Sequence, residues 1–145
     1  MSHICVPWSG REVADLSSGV ELYTHTIEAC LAVCGLQGSK GALMHLQAND
    51  PIEDYLAWFR REMVPGSSTN VALVGAMKGK GDGLLEEVRG ILQNDGYTIG
   101  HERVLTEFVY DLFLSNQRID LVKQRQMRMG QEISYVPVGT EEIVF

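Results

Sequence analysis

An α+β fold is expected from two amphipathic helical stripes, at 51–63 and 84–92, set among short apolar runs of strand character at 29–36, 41–47 and 71–76. The stripes repeat their apolar residues every three to four positions, whereas the short runs are continuous and bounded by Gly, Ser and Asn. Mixed sheets carrying a hairpin, with the helices packed outside, are the arrangement these elements imply.

Taken in order, His3 and Cys5 read as part of an ordinary N-terminal strand, the alternative being half of a metal site. The runs 29–36 and 41–47, joined by Gln37-Gly38-Ser39-Lys40, read as a β-hairpin. Its register decides what Cys30 meets. If Leu36 faces Ser39, His45 lies directly opposite Cys30; if Leu36 faces Gly41, His45 is its diagonal neighbour on the same face; a three-residue loop puts them on opposite faces. Asn49-Asp50-Pro51 then opens a helix, with Asp50 as N-cap, Pro51 first and Glu53 closing a capping box, running to Val64-Pro65-Gly66. Residues 67–70 read as a loop and 71–76 as a strand covered on both faces. Asp82 is the candidate cap of the second helix, and Gly96 its left-handed terminator. Residues 97–99 and 104–114 read as strands, Ser115-Asn116-Gln117 as a turn before a strand at 118–122, and 133–136 and 143–145 as edge strands. Between them, 123–128 reads as a basic, solvated connector or, more sharply, a partner-docking segment.

The 145 residues are expected to form one catalytic domain, 1–145, with a core large enough to need no staples. Twelve Lys and Arg against 19 Asp and Glu leave a formal charge of −7, which argues against nucleic acid or an anionic membrane as a partner. Neither a cleavable leader nor a bilayer-spanning run is present in the sequence, so a cytoplasmic location is expected, with secretion by a route that leaves no such signal still open. Three cysteines at irregular spacing suit reduced thiols better than a disulfide framework. Cys34, in phase with Cys30, reads as a packing residue, and His25 as pointing away from its neighbour Thr24. The Gly-Lys stretch at 78–83 lacks the ending of a phosphate loop and reads as a flexible segment beside the site.

The stretch Thr24-His25-Thr26-Ile27-Glu28-Ala29-Cys30-Leu31-Ala32-Val33, followed by Gly41-Ala42-Leu43-Met44-His45, resembles the chemoreceptor glutamine deamidases of the CheD family. Those proteins carry a Thr six residues before a Cys and a His at the start of the next strand. Thr24, Cys30 and His45 hold these three positions, and a weaker resemblance continues through Leu73-Val74-Gly75-Ala76 to about residue 123. Ile27, Glu28 and Ala29 replace the family's Leu-Gly-Ser, and 104–110 lacks its Gly-Gly pair and Arg. The same trio occurs in fold-related toxin deamidases that act on host proteins, the cytotoxic necrotizing factor and Burkholderia lethal factor domains.

The resemblance implies mixed β-sheets packed as a sandwich with flanking helices, and a cysteine-dependent deamidase acting on a glutamine of a chemoreceptor or host protein without metal or cofactor. Cys30 is then the nucleophile, held as a thiolate beside an imidazolium; His45 is the acid and base, and Thr24 orients His45. The backbone N–H of Cys30 and a neighbour would hold the oxyanion, with the Gln47 side chain as an alternative. A non-catalytic binding module and a small-molecule amidase on the same scaffold are the competing expectations. The oligomeric state is not legible.

Overall fold

The computed structural model describes residues 2–76, 82–105 and 108–145, the side chain of Asp82 excepted. Among the described residues, ten strands form two five-stranded mixed sheets, with two helices on one outer side. One sheet holds β1 (Ser2–Cys5), β3 (Val20–Ile27), β8 (Val109–Ser115), β9 (Arg118–Met129) and β10 (Glu132–Val144), in that spatial order. The other runs β2 (Arg11–Asp15), β5 (Lys40–Leu46), β4 (Leu31–Gln37), β6 (Thr69–Gly75) and β7 (Ile99–Val104). The fold is thus the expected α+β sandwich of mixed sheets.

Period-two alternation explains the layering. Ala32, Cys34, Leu43, Ala72 and Val74 face the first sheet, where they pack with Leu22, Leu112, Leu114, Ile119 and Leu121. Their strand neighbours Val33, Met44, Val71 and Leu73 face the other way, against Leu56, Phe59, Val88 and Leu92 of α1 (Ile52–Glu62) and α2 (Asp82–Asn94). Being buried on both faces, β4, β5 and β6 have the unbroken apolar sequence that marked them as strands.

The hairpin of β4 and β5 turns at Gly38 (φ 61°) and Ser39, pairing Leu36 with Gly41 and Ala32 with His45. This is the second of the two same-face registers, with His45 diagonal to Cys30. Gly96, at φ 98°, ends α2 as expected. The stretch 77–81 and the Asp82 side chain, on which the expected flexible segment and second cap rest, lie outside the described residues.

Several boundaries differ from expectation. The N-cap of α1 is Pro51, not Asp50, and no side chain caps it. The Asp50 carboxylate turns back instead, accepting the Gln47 N–H at 2.7 Å and the Ser9 hydroxyl at 2.8 Å. Thr69, expected in a loop, opens β6 because its hydroxyl donates to the Val64 carbonyl at 2.6 Å and its backbone pairs with Gln37. Tyr97 is no strand residue. Its ring packs on Phe59 and its hydroxyl donates to the Met63 carbonyl, fastening the end of α2 to the end of α1.

The run 104–114 is not one strand: β7 ends in the second sheet at Val104, the chain crosses over, and β8 begins in the first. Residues 123–128 are not a connector either. They continue β9, and 132–144 forms one strand, β10, with a bulge between Pro137 and Gly139. Side chains exposed on both faces hide the strand period there, so polarity alone read as a linker. β2, which carried no expectation, pairs with β5.

Candidate functional site

β3 of the first sheet ends at Ile27 and β4 of the second begins at Leu31, so Cys30 sits on the crossover between the sheets. The crossover opens with a bulge: pairing with β8 shifts register between Thr24 and Ile27, and Thr26 takes φ 57°. A β-branched residue rarely adopts that conformation. Here it is held because the Thr26 N–H donates to Asp111 Oδ1 at 3.0 Å, while Asp111 Oδ2 accepts Gln124 Nε2 at 2.7 Å. At the far side of the crossover the Cys30 carbonyl accepts the Ala76 N–H at 2.8 Å. Gly75, at φ 128°, makes this approach possible: a Cβ there would lie 2.4 Å from the Cys30 carbonyl oxygen. Backbone on both flanks therefore fixes Cys30.

Thr24 comes from the inner face of the first sheet and His45 from that of the second, and both are fully buried. Thr24 Oγ1 lies 2.7 Å from His45 Nδ1 and 2.7 Å from the Val6 carbonyl oxygen. A carbonyl can only accept, so the single hydroxyl proton goes to Val6 and the oxygen must accept from Nδ1–H. This fixes the neutral tautomer in which Nε2 carries the lone pair, and Nε2 is buried with no hydrogen-bond partner among the described residues. Burial, and next His25, lower the His45 pKa to about 4 against an opposing pull from Asp50. His45 is consequently neutral at pH 7, and the preformed thiolate–imidazolium pair expected from the sequence does not match a buried imidazole of this kind.

Thr24 and His45 are thus in direct contact, and Cys30 is one diagonal step from His45 in the hairpin register, half-buried, with no hydrogen bond to it in this resting arrangement. Cys30 opens into a cavity of about 160 Å³ lined by Ala29, Gln47, Ala48 and Asn49. Gln47, the residue after β5, lines the same cavity as Cys30, whereas a larger cavity of about 810 Å³ lies between α1 and α2, away from these groups.

Several neighbours of the site were not legible as such in the sequence. Trp8, about half exposed, sets its ring 6.3 Å from both His25 and His45, and its indole N–H donates to the His25 carbonyl at 3.1 Å. Ser9 and Asp50 join the loop that carries Trp8 to the loop that walls the cavity, and Tyr55 donates to the Ser9 carbonyl. The only sequence signal was an aromatic inside the turn-forming Pro7-Trp8-Ser9-Gly10. His25 lies between Trp8 and Tyr23 on the other side of β3 from Thr24.

The remaining candidates fall outside the site. Cys34 is buried between the sheets, where desolvation pushes its thiol pKa up, and Cys5 is exposed on β1. His3 pairs with Glu21 at 3.0 Å, and no described group of three or more His, Cys, Asp or Glu is arranged to hold a metal ion. No described helix is long and apolar enough to cross a membrane.

No protein-family model matches the chain, and no curated protein matches it. Among solved structures it is similar to the Neisseria meningitidis protein NMB0706 of the DUF152 family, at 19% identity and TM-score 0.47 over 65% of this chain and 51% of that one. It is also similar to the C-terminal domain of CNFy from Yersinia pseudotuberculosis, at 11% identity and TM-score 0.48 over 99% of this chain and 62% of that one. The chain spans between about half and three fifths of those two proteins, and likenesses this slight carry no functional weight.

Proposed function

We propose that the chain is a cysteine-dependent deamidase that hydrolyses a glutamine side-chain amide of a protein to glutamate and ammonia. The carrying observation is the Thr24–His45 contact, which leaves a buried Nε2 lone pair one diagonal step from a half-buried thiol. A triad works in this way, with a third group fixing the tautomer and the imidazole serving as base. His45 Nε2 takes the Cys30 proton as sulfur attacks the carboxamide carbon, and the oxyanion settles on the Cys30 N–H and a neighbouring donor. Collapse returns the proton to the leaving nitrogen, expelling ammonia and leaving a thioester. Water, deprotonated by His45, then releases glutamate and restores the thiol.

The cavity at Cys30, about 160 Å³, is below the roughly 300 Å³ at which small-molecule sites begin, which favours an inserted side chain over a free substrate. The resemblance around Thr24, Cys30 and His45 points the same way. The test is incubation of candidate receptor or host proteins with the chain, read as ammonia release and a mass gain of about 1 Da at one glutamine. Cys30→Ser and His45→Ala, checked for folding by circular dichroism, should abolish both signals. Full activity in either folded variant overturns the proposal.

A further inference from the structure

α1 and α2 lie side by side on the second sheet, fastened at their C-terminal ends by Arg60–Asp95 at 2.8 Å and by the Tyr97 hydroxyl on the Met63 carbonyl. Ahead of that fastening they leave a groove of about 810 Å³ between them. Its walls recur at helical spacing on both sides, as Glu53, Ala57 and Arg60 on α1 and as Gly90, Ile91 and Asn94 on α2. The groove is roomy because Ala57 and Gly90 contribute almost no side chain. A Cβ at Gly90 would meet nothing within 4 Å, and no positive φ calls for glycine there. A glycine inside a helix costs stability, so its use at a position with space to spare suits close approach by something outside the fold. The groove also continues toward the candidate site. Glu53 and Asp54 belong at once to it and to a second cavity of about 360 Å³ that holds Asp50 and Glu87, and Ala48 in the wall of that second cavity also lines the cavity at Cys30. Glu53, Asp54 and Glu87 are exposed and pair with no described cation, whereas Arg60, the one Lys or Arg among the described lining residues, is engaged by Asp95.

We propose that this groove docks the substrate protein through a basic amphipathic helix. The apolar face of that helix lies on Leu56, Ala57, Gly90 and Ile91, and its Lys and Arg side chains meet Glu53, Asp54 and Glu87. The occupant is a helix because both walls are helices, which offer ridges and grooves to a third helix and no strand edge to an extended chain. It is basic because the carboxylates of the groove are the charges left without a described partner. A chain leaving such a helix at the Glu53 end passes Ala48 and brings a following glutamine to Cys30.

This inference rests on the deamidase proposal for the choice of a substrate protein as occupant, but its test is binding alone. The probes are a fluorescent helix-forming peptide of about 16 residues, with Lys and Arg on one face and Leu and Ala on the other, and the same peptide with Glu in place of Lys and Arg. Anisotropy is read with the full-length Cys30→Ala protein. The basic peptide should bind and the acidic one should not. Gly90→Arg, which fills the groove from a position with room for a side chain, should weaken binding by about tenfold or more without lowering the denaturant midpoint. Glu53→Gln with Glu87→Gln should weaken it as much, whereas Glu12→Gln with Glu132→Gln, the same change of net charge at exposed positions outside the groove, should leave it unchanged. No binding of the basic peptide, equal binding of the two peptides, or unaltered binding by the Glu53 and Glu87 variant overturns the proposal. An equal loss in the Glu12 and Glu132 variant also overturns it, by making the attraction one of net charge alone. Absence of deamidation by the wild-type chain would instead condemn the catalytic reading while leaving this binding result standing.

Discussion

His45 is the side chain whose state the rest of the site is arranged to set. Thr24→Val keeps the shape and removes the hydroxyl, leaving Nδ1–H and the Val6 carbonyl unpaired in a closed interior. The expected cost is about 1 to 3 kcal/mol by denaturant unfolding, with deamidation down about 10- to 100-fold and Thr24→Ser restoring most of both. The pH dependence is equally specific. In the unfolded chain His45 binds a proton below about 6.5, while the folded protein refuses it down to about 4. Stability is therefore full above the unfolded value and lost as pH falls from about 6.5 to about 4, by roughly 3 kcal/mol in all. Denaturant midpoints across that range should show the loss in the wild type and not in His45→Asn, and the acid limb of kcat/KM should lie near 4.

At the scale of elements, Cys30 is placed by strand ends. Gly75→Ala would force a Cβ to within 2.4 Å of the Cys30 carbonyl oxygen at φ 128°. A destabilisation of about 2 to 4 kcal/mol, with alkylation of Cys30 altered relative to Cys5, is the expected outcome by unfolding and peptide mapping. The hairpin was legible because β4 and β5 are buried on both faces and their turn carries Gly38, whereas its register, on which the shared face of Cys30 and His45 depends, was fixed only by the observed pairing of Leu36 with Gly41. The capping of α1 was not. Asp50 satisfies every local rule for an N-cap, yet its carboxylate serves Gln47 and Ser9, a partnership with a residue 41 positions away that no local window contains. Trp8 stayed hidden for the same reason, since its contact with His45 exists only once β2 pairs with β5.

Across the whole molecule, the two sheets are tied at the end that bears Cys30 by a bidentate Arg103–Glu141 pair, at 2.7 and 2.8 Å, with Lys123 at 2.9 Å. These contacts, the Arg103 hydrogen bonds first, hold the Glu141 pKa at about 2. Its contribution is present above the unfolded value and fades as pH falls from about 4.5 to about 2, below the His45 window. Because the cluster is partly exposed, Glu141→Gln should cost only about 1 kcal/mol at pH 7, less in high salt, as denaturant midpoints at two ionic strengths will show. The central claim is that Cys30 attacks a glutamine amide with His45 as base. It is tested most directly by intact-mass labelling with a peptide whose glutamine carboxamide is replaced by a diazoketone, followed by peptide mapping. One adduct on Cys30, absent from a folded His45→Ala variant, is the predicted result. Labelling of the exposed Cys5 alone, or of Cys30 at the same rate without His45, would contradict it.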